Sequence, residues 1–177
     1  MSVVLVSHQP QFLPYLGLYN KILKSDKFMF LDDVQFNNSS WHARTIIKNH
    51  QDKTVQLIIP CSTRNSSSKY IKDIVITDDR WKRKHLKTIE TIYKKTKNFD
   101  EIFNIIKQII SIKSNYLIDY TIPSMSIFLE KLGYSKKQIF IQSKEEKVEG
   151  DKNEFLINLT KKFNGSVYLS GLGGKNY

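Results

Sequence analysis

The sequence contains one cysteine, Cys61, in 177 residues. A single thiol cannot form an internal disulfide, and disulfide frameworks belong to oxidising compartments, so we expect a cytoplasmic protein. Cys61 follows Pro60 at the end of an apolar segment, and no helix N-terminus stands there to lower its pKa. We therefore do not assign it as a nucleophile.

Long hydrophobic runs are also missing. The longest are "VVLV" at 3–6 and "VQLII" at 55–59, whereas a helix that spans a bilayer needs about 20 apolar residues. The N-terminus lacks the basic segment and the small-residue cleavage site of a secretory signal. The sequence predicts neither a membrane span nor export.

Proline and glycine are scarce, at four and seven residues. With 40% hydrophobic and 25% charged residues, the composition excludes collagen-like and disordered classes. A chain of this length buries a substantial core. We predict a single folded domain over residues 1–177.

Acidic residues are in deficit, with 17 against 28 lysines and arginines and a net charge of +11. Such a charge attracts anionic partners, among them a nucleotide-linked sugar, another anionic small molecule or tRNA. Most of the basic residues are lysines, which also cover ordinary solvated helix faces. Both interpretations of the charge stay open, and an oligomer is compatible with either.

The N-terminal segment has the pattern of a strand, a helix and a second strand. The apolar run at 3–6 ends in His8-Gln9-Pro10, and a proline there prevents a central strand from continuing. Apolar residues at helical spacing follow over 15–25, and "KFMFLDDV" is a second buried strand. A βαβ unit of about 30 residues indicates a parallel sheet.

The later segments alternate between strand and helix patterns. They are an antiparallel hairpin at about 42–60, a short strand at 70–76, helices across about 79–133, a strand at 138–142, a helix over 151–165 and a last strand at 167–170. We expect a kink or split at Pro123, Asp151 as an N-cap and Gly165 past a helix end. The fold class is α/β: a Rossmann-like (HUP-like) parallel sheet with an inserted antiparallel hairpin and a helical subregion.

Open α/β sheets bind ligands outside the carboxyl ends of their strands, so residues that follow strands are the first site candidates. We predict His8 and Asp33 as catalytic residues and Gln9 as a substrate contact. A histidine at a strand end can act as general acid or base, and an aspartate there suits Mg²⁺ or a ribose hydroxyl. The alternatives are a histidine that only orders the turn, and an Asp32-Asp33 pair that only stops the strand.

Aromatic and basic side chains supply further candidates for substrate binding. Trp41 can stack on a base or sugar and Arg44 can bind phosphate, although tryptophan is more often a core residue. His85 is either a core-edge residue or a second titrating site residue.

The glycine-rich ending "SGLGGKNY" can hold an anion against backbone N–H groups. Its candidates for substrate binding are Ser170, Gly171 and Lys175, although a flexible terminus has the same composition. The four histidines lack the spacing of zinc ligands, so no metal site is predicted.

Several segments together resemble the WbqC-like family of bacterial polysaccharide gene clusters. They are "HQPQFLPYLGLYNKILKSDKFMFLDDVQFNNSSWHARTIIK", "LIIPCS", "WKRKHLKTIETIYKK" and "YLSGLGGKNY". The resemblance covers nearly the whole chain in order and implies an enzyme that decorates amino sugars in surface-polysaccharide (O-antigen) biosynthesis. Tyr15 stands where the family pattern has tryptophan. A further strand and tail after "YLSG" are absent, so we expect more chain or another subunit to complete that end.

Three functions remain open. The first is a transferase that adds an acyl or aminoacyl group to a nucleotide-linked amino sugar, with His8 as base, Arg44 and Lys175 on the diphosphate and Trp41 on the base or sugar. The second is an ATP-dependent nucleotidyltransferase or adenylating ligase of the HIGH type, which requires ATP with Mg²⁺ and uses His8 at the transition state. The third is a non-catalytic module that binds tRNA or a protein partner.

Overall fold

The computed structural model describes residues 2–62 and 69–171. Its elements, in chain order, are β1 (Val4–His8), α1 (Leu16–Leu23), β2 (Lys27–Phe30), β3 (Arg44–Lys48), β4 (Thr54–Ile58), α2 (Arg80–Tyr93), α3 (Phe99–Ile110), α4 (Ile118–Lys131), β5 (Ile139–Ile141), α5 (Lys152–Lys162) and β6 (Val167–Tyr168). The α/β class is confirmed.

A four-stranded parallel sheet in the order β5-β2-β1-β6 forms the centre. Alternate side chains of its strands face opposite sides, as the pleat requires. Val6 and Phe28 face α1 and α4, whereas Leu5 and Met29 face α5. Both faces are therefore covered, which explains why β1 and β2 have continuous apolar runs.

The strand order reverses once along the chain. From β1 the chain moves outward through β2 to β5, and it then returns to the other side of β1 to form β6. The reversal lies between β1 and β6, which is the topological switch point where α/β sheets open a crevice for ligands.

The predicted hairpin at 42–60 is confirmed as the antiparallel pair β3 and β4, with Arg44 opposite Ile58 and Lys48 opposite Thr54. The Asn49 side chain closes its turn by accepting hydrogen bonds from the backbone N–H groups of Gln51 and Lys53, at 2.9 and 3.0 Å. Such local bonds are why asparagine favours turns.

The predicted helical subregion is confirmed as α2, α3 and α4. α4 is one helix of 14 residues with Pro123 inside it, so the alternative of a split at Pro123 is wrong. Gly133 follows its end at φ +89°, and the N–H of Tyr134 donates to the carbonyl of Leu129 at 2.9 Å. No helix among the described residues has the length and apolarity to cross a bilayer.

The strand predicted at 70–76 is wrong. Ile71–Asp73 form a 3₁₀ turn, with single bridges on either side of it. Ile71 and Ile74 are both completely buried. Residues three apart face the same way in a 3₁₀ turn but opposite ways in a strand, so the turn buries both.

Two predicted positions at the ends of α5 are confirmed. Asp151 occupies the N-cap position, but its side chain makes no capping hydrogen bond. Gly165 lies past the helix end, as predicted, but the left-handed residue there is Asn164, at φ +53°. Gly165 is needed for close packing instead, since a Cβ there would lie 2.8 Å from Cγ2 of Thr160.

Candidate functional site

The carboxyl ends of four parallel strands bring separate polar residues to one edge of the sheet. His8 ends β1, Asp32 and Asp33 follow β2, Gln142 follows β5 and Ser170 follows β6. Ser170 and Gly171 are exposed just beyond the switch point, and Lys175 lies outside the described residues.

His8 is half-buried, and its hydrogen bond fixes its tautomer. Nδ1 lies 2.8 Å from the carbonyl oxygen of Gln9. A carbonyl only accepts, so Nδ1 carries the proton and Nε2 has a free lone pair. The pKa of His8 is lowered to about 4, chiefly by burial and to a smaller extent by the charges of Lys21 and His42, whereas the Gln9 bond opposes the shift. His8 is therefore neutral at pH 7.

His42 is a second histidine held by the same turn, and sequence reasoning did not place it in the site. Nδ1 lies 3.1 Å from the carbonyl oxygen of Pro10, so its Nε2 also has a lone pair. The residue is 1% exposed, and this Nε2 has no hydrogen-bond partner among the described residues. Consecutive carbonyls, of Gln9 and Pro10, thus set the same tautomer in both imidazoles.

Lys21 on α1 carries a charge that acts on His8, and no pattern in the sequence marks it as a site residue. The side chain is half-buried, and its ammonium group makes no hydrogen bond or ion pair within residues 2–62 and 69–171. Burial lowers the pKa of Lys21, and its charge lowers that of His8. An anion bound at this place would relieve both effects.

The two aspartates after β2 have different surroundings. Asp32 is 1% exposed, and its carboxylate accepts hydrogen bonds from the backbone N–H of Ser143, at 2.8 Å, and from the Ser143 hydroxyl. Asp33 is more accessible and lies 2.6 Å from Nζ of Lys72. Asp32 therefore joins the ends of β2 and β5, and Asp33 is the one that can meet a ligand.

Trp41 and Arg44 line a groove of about 860 Å³ together with Gln11 and Tyr15. Trp41 is 46% exposed, so it is not a core residue. The Arg44 guanidinium lies 5.4 Å from the centre of the Trp41 ring and donates to the carbonyls of Ser39 and Ser40. Arg44 therefore holds the Trp41 turn and keeps other N–H groups for a ligand. Gln11, which lines the groove, follows His8 by three residues in the chain.

His85 lies away from the sheet edge, in the core beneath the hairpin. It is 2% exposed, and its ring centre is 5.1 Å from that of Trp81 and 5.9 Å from that of Phe12. Burial lowers its pKa to about 4. Cys61 is half-buried, and burial raises the pKa of its thiol to about 12, which disfavours a thiolate nucleophile.

The depressed histidine pKa values predict loss of stability in acid. The folded chain keeps His8 and His85 neutral down to about pH 4, whereas the unfolded chain protonates them near pH 6.5. Their contribution to the free energy of unfolding is therefore complete above about pH 6.5. It falls as the pH drops toward 4, by up to about 1.4 kcal/mol per pH unit for each histidine. Urea unfolding between pH 7.5 and 5 measures this slope. His85→Gln should lower the slope near pH 5 by up to about 1.4 kcal/mol per pH unit, because it removes one such histidine. Equal slopes in the original protein and in this variant would contradict the prediction.

The fold and the sheet edge define an α/β protein of Rossmann-like topology, a class in which ligands bind at the switch point. The model of the WbqC-like protein family matches residues 9–177, and the chain belongs to that family. It is similar to the uncharacterized protein Rv1507c of Mycobacterium tuberculosis (strain ATCC 25618 / H37Rv), with 23% identity over 170 residues, covering 96% of this chain and 72% of that protein. No solved structure matches it.

Proposed function

We propose that the protein is a cytoplasmic enzyme of surface-polysaccharide biosynthesis that transfers an acyl or aminoacyl group to the amine of a nucleotide-linked amino sugar. The observation that carries the proposal is the free Nε2 lone pair of His8, fixed by the Gln9 carbonyl at the switch point. A neutral imidazole at such a place is a suitable general base.

The chemical step begins with the sugar amine attacking the carbonyl carbon of an activated ester or thioester. A carbon–nitrogen bond forms, and the bond from that carbon to the leaving oxygen or sulfur breaks. The amine proton passes to Nε2 of His8 and from there to the leaving group. Bound phosphate close to His8 would raise its pKa from about 4 toward neutrality, which improves it as a base at pH 7.

Binding of the nucleotide sugar uses the remaining features of the site. Lys21 has no ion-pair partner in the described part of the chain and its charge acts on His8, which suits a diphosphate. The exposed rings of Trp41 and Tyr15 suit a base or sugar face. The net charge of +11 favours an anionic substrate over a neutral one.

Calorimetric titration with a nucleotide-linked amino sugar, without Mg²⁺, tests the substrate class. We expect saturable binding that Lys21→Met weakens about 10-fold or more, because a hydrogen bond to a charged group contributes about 1.5–3 kcal/mol. The matched control is Lys24→Met, which removes an exposed lysine three residues away and should change affinity less than about two-fold.

Two results would count against this substrate class. Pyrophosphate release from ATP with Mg²⁺ would favour the adenylating alternative. Binding of tRNA, with affinity falling steeply with salt and with no nucleotide-sugar binding, would favour the non-catalytic module.

A further inference from the structure

An apolar trough of about 530 Å³ lies between the start of α1 and helices α2, α3 and α4. Representative lining residues are Leu16, Tyr93, Ile102, Phe103, Phe128 and Leu132. Several of these side chains remain open to solvent: Leu16 is 82% exposed, Leu132 53% and Ile102 40%. Contiguous exposed apolar surface of this kind marks a site for a ligand or partner.

The apolar trough adjoins the Trp41 groove. Leu13, Leu16 and Tyr93 line both cavities. A molecule whose reacting carbonyl lies in the Trp41 groove therefore has an apolar channel beside it.

Among the residues that the structure describes, the charged side chains that line the two cavities are all cations: Lys131 in the trough, and Arg44 and Lys48 in the groove. Lys131 lies 3.2 Å from Glu101 and Lys48 lies 3.4 Å from Asp52, but both ion pairs are largely exposed and therefore weak. An apolar channel with cationic ends complements an apolar chain that carries an anionic group. A second copy of this protein is disfavoured as the occupant because two chains of charge +11 repel each other.

We propose that the apolar trough holds the hydrocarbon chain of a long-chain acyl donor, with the anionic part of the donor against Arg44 and Lys48. The inference rests on the proposed function and narrows it: the transferred group is a long-chain acyl group rather than an aminoacyl group, and the donor is an activated thioester or ester of a fatty acid. The bonds that form and break are those of the transfer step above, with the thiol or alcohol of the donor as leaving group.

Calorimetric titration of the intact protein with inorganic phosphate, hexyl phosphate, octyl phosphate and decyl phosphate, each below its micelle-forming concentration, tests this proposal. We expect affinity to rise about three- to four-fold for each added methylene group until the chain fills the trough. Inorganic phosphate should bind much more weakly than decyl phosphate.

A matched pair of variants locates the binding. Leu132→Glu places a carboxylate in the trough and should weaken decyl phosphate binding at least about 10-fold. Ile157→Glu alters a side chain of the same 53% exposure, on α5 at the opposite face of the sheet, and should change it less than about two-fold. Circular dichroism confirms that each variant is folded.

Affinity that does not depend on chain length, or that falls equally in the two variants, would overturn the proposal. So would a dimer that Leu132→Glu dissociates in sedimentation while decyl phosphate fails to bind, because a second copy would then cover the trough. The titration involves neither sugar nor turnover, so its failure leaves the transferase proposal standing. Conversely, a His8→Gln protein with normal turnover would contradict the general-base role of His8 even if decyl phosphate binds as expected.

Discussion

Replacement of His8 by glutamine is expected to lower turnover about 10²- to 10⁴-fold, the usual contribution of a general base. Glutamine can still donate a hydrogen bond to the Gln9 carbonyl, which His8 contacts at 2.8 Å, but its amide cannot accept the proton of the sugar amine. Mass spectrometry of the acylated nucleotide sugar measures turnover, and calorimetry measures substrate affinity, which should change only slightly.

The control for this variant is His50→Gln, because His50 is exposed in the hairpin turn. It should keep turnover within about two-fold of the original protein. A folded His8→Gln protein that turns over at the normal rate would falsify the general-base role. His8 would then only order the turn that precedes α1.

Replacement of Phe12 by alanine is expected to lower the free energy of unfolding by about 3–5 kcal/mol. Phe12 is 1% exposed, and its ring centre lies 5.9 Å from those of both Trp81 and His85. The cavity cannot close easily because Trp81 packs edge-on against Tyr120, with ring centres 5.3 Å apart. Urea unfolding at pH 7.5 measures the loss.

Tyr15→Ala is the control for this second variant, since it removes an aromatic side chain of the same loop that is 72% exposed. We expect it to change stability by less than about 0.5 kcal/mol. A loss below about 1 kcal/mol for Phe12→Ala would mean that the core does not anchor the loop. Phe12 also donates its backbone N–H to the His42 carbonyl at 3.1 Å, which ties the loop to the segment that carries His42.

Local patterns were sufficient to predict most of the fold. β1, α1 and β2 carry their periodicity within a few residues, and the hairpin has strand patterns on both sides of a polar turn. The segment around Ile71 was misassigned because long-range contacts shape it: the N–H groups of Ile71 and Lys72 donate to the carbonyls of Val34 and Asp32. No local pattern reveals such partners.

Only those residues of the candidate site that follow strands could be predicted from the sequence. His8 and Asp33 follow apolar runs, and a parallel sheet brings such ends to one edge. Lys21 and His42 belong to a helix and a loop whose approach to His8 depends on tertiary packing. A lysine on an amphipathic helix has the same sequence pattern whether its ammonium group is solvated or half-buried.

The pairing of β1 with β6 has a consequence for the order of folding. The Ser7 hydroxyl lies 2.7 Å from that of Tyr168, a residue 161 positions away, and β6 pairs with β1 through only two residues. Closing so long a loop costs chain entropy, which a two-residue strand hardly offsets by itself. During synthesis β6 therefore joins the sheet after β1, β2 and β5 can already pair, and the β6 side of β1 stays uncovered in nascent chains until β6 has left the ribosome.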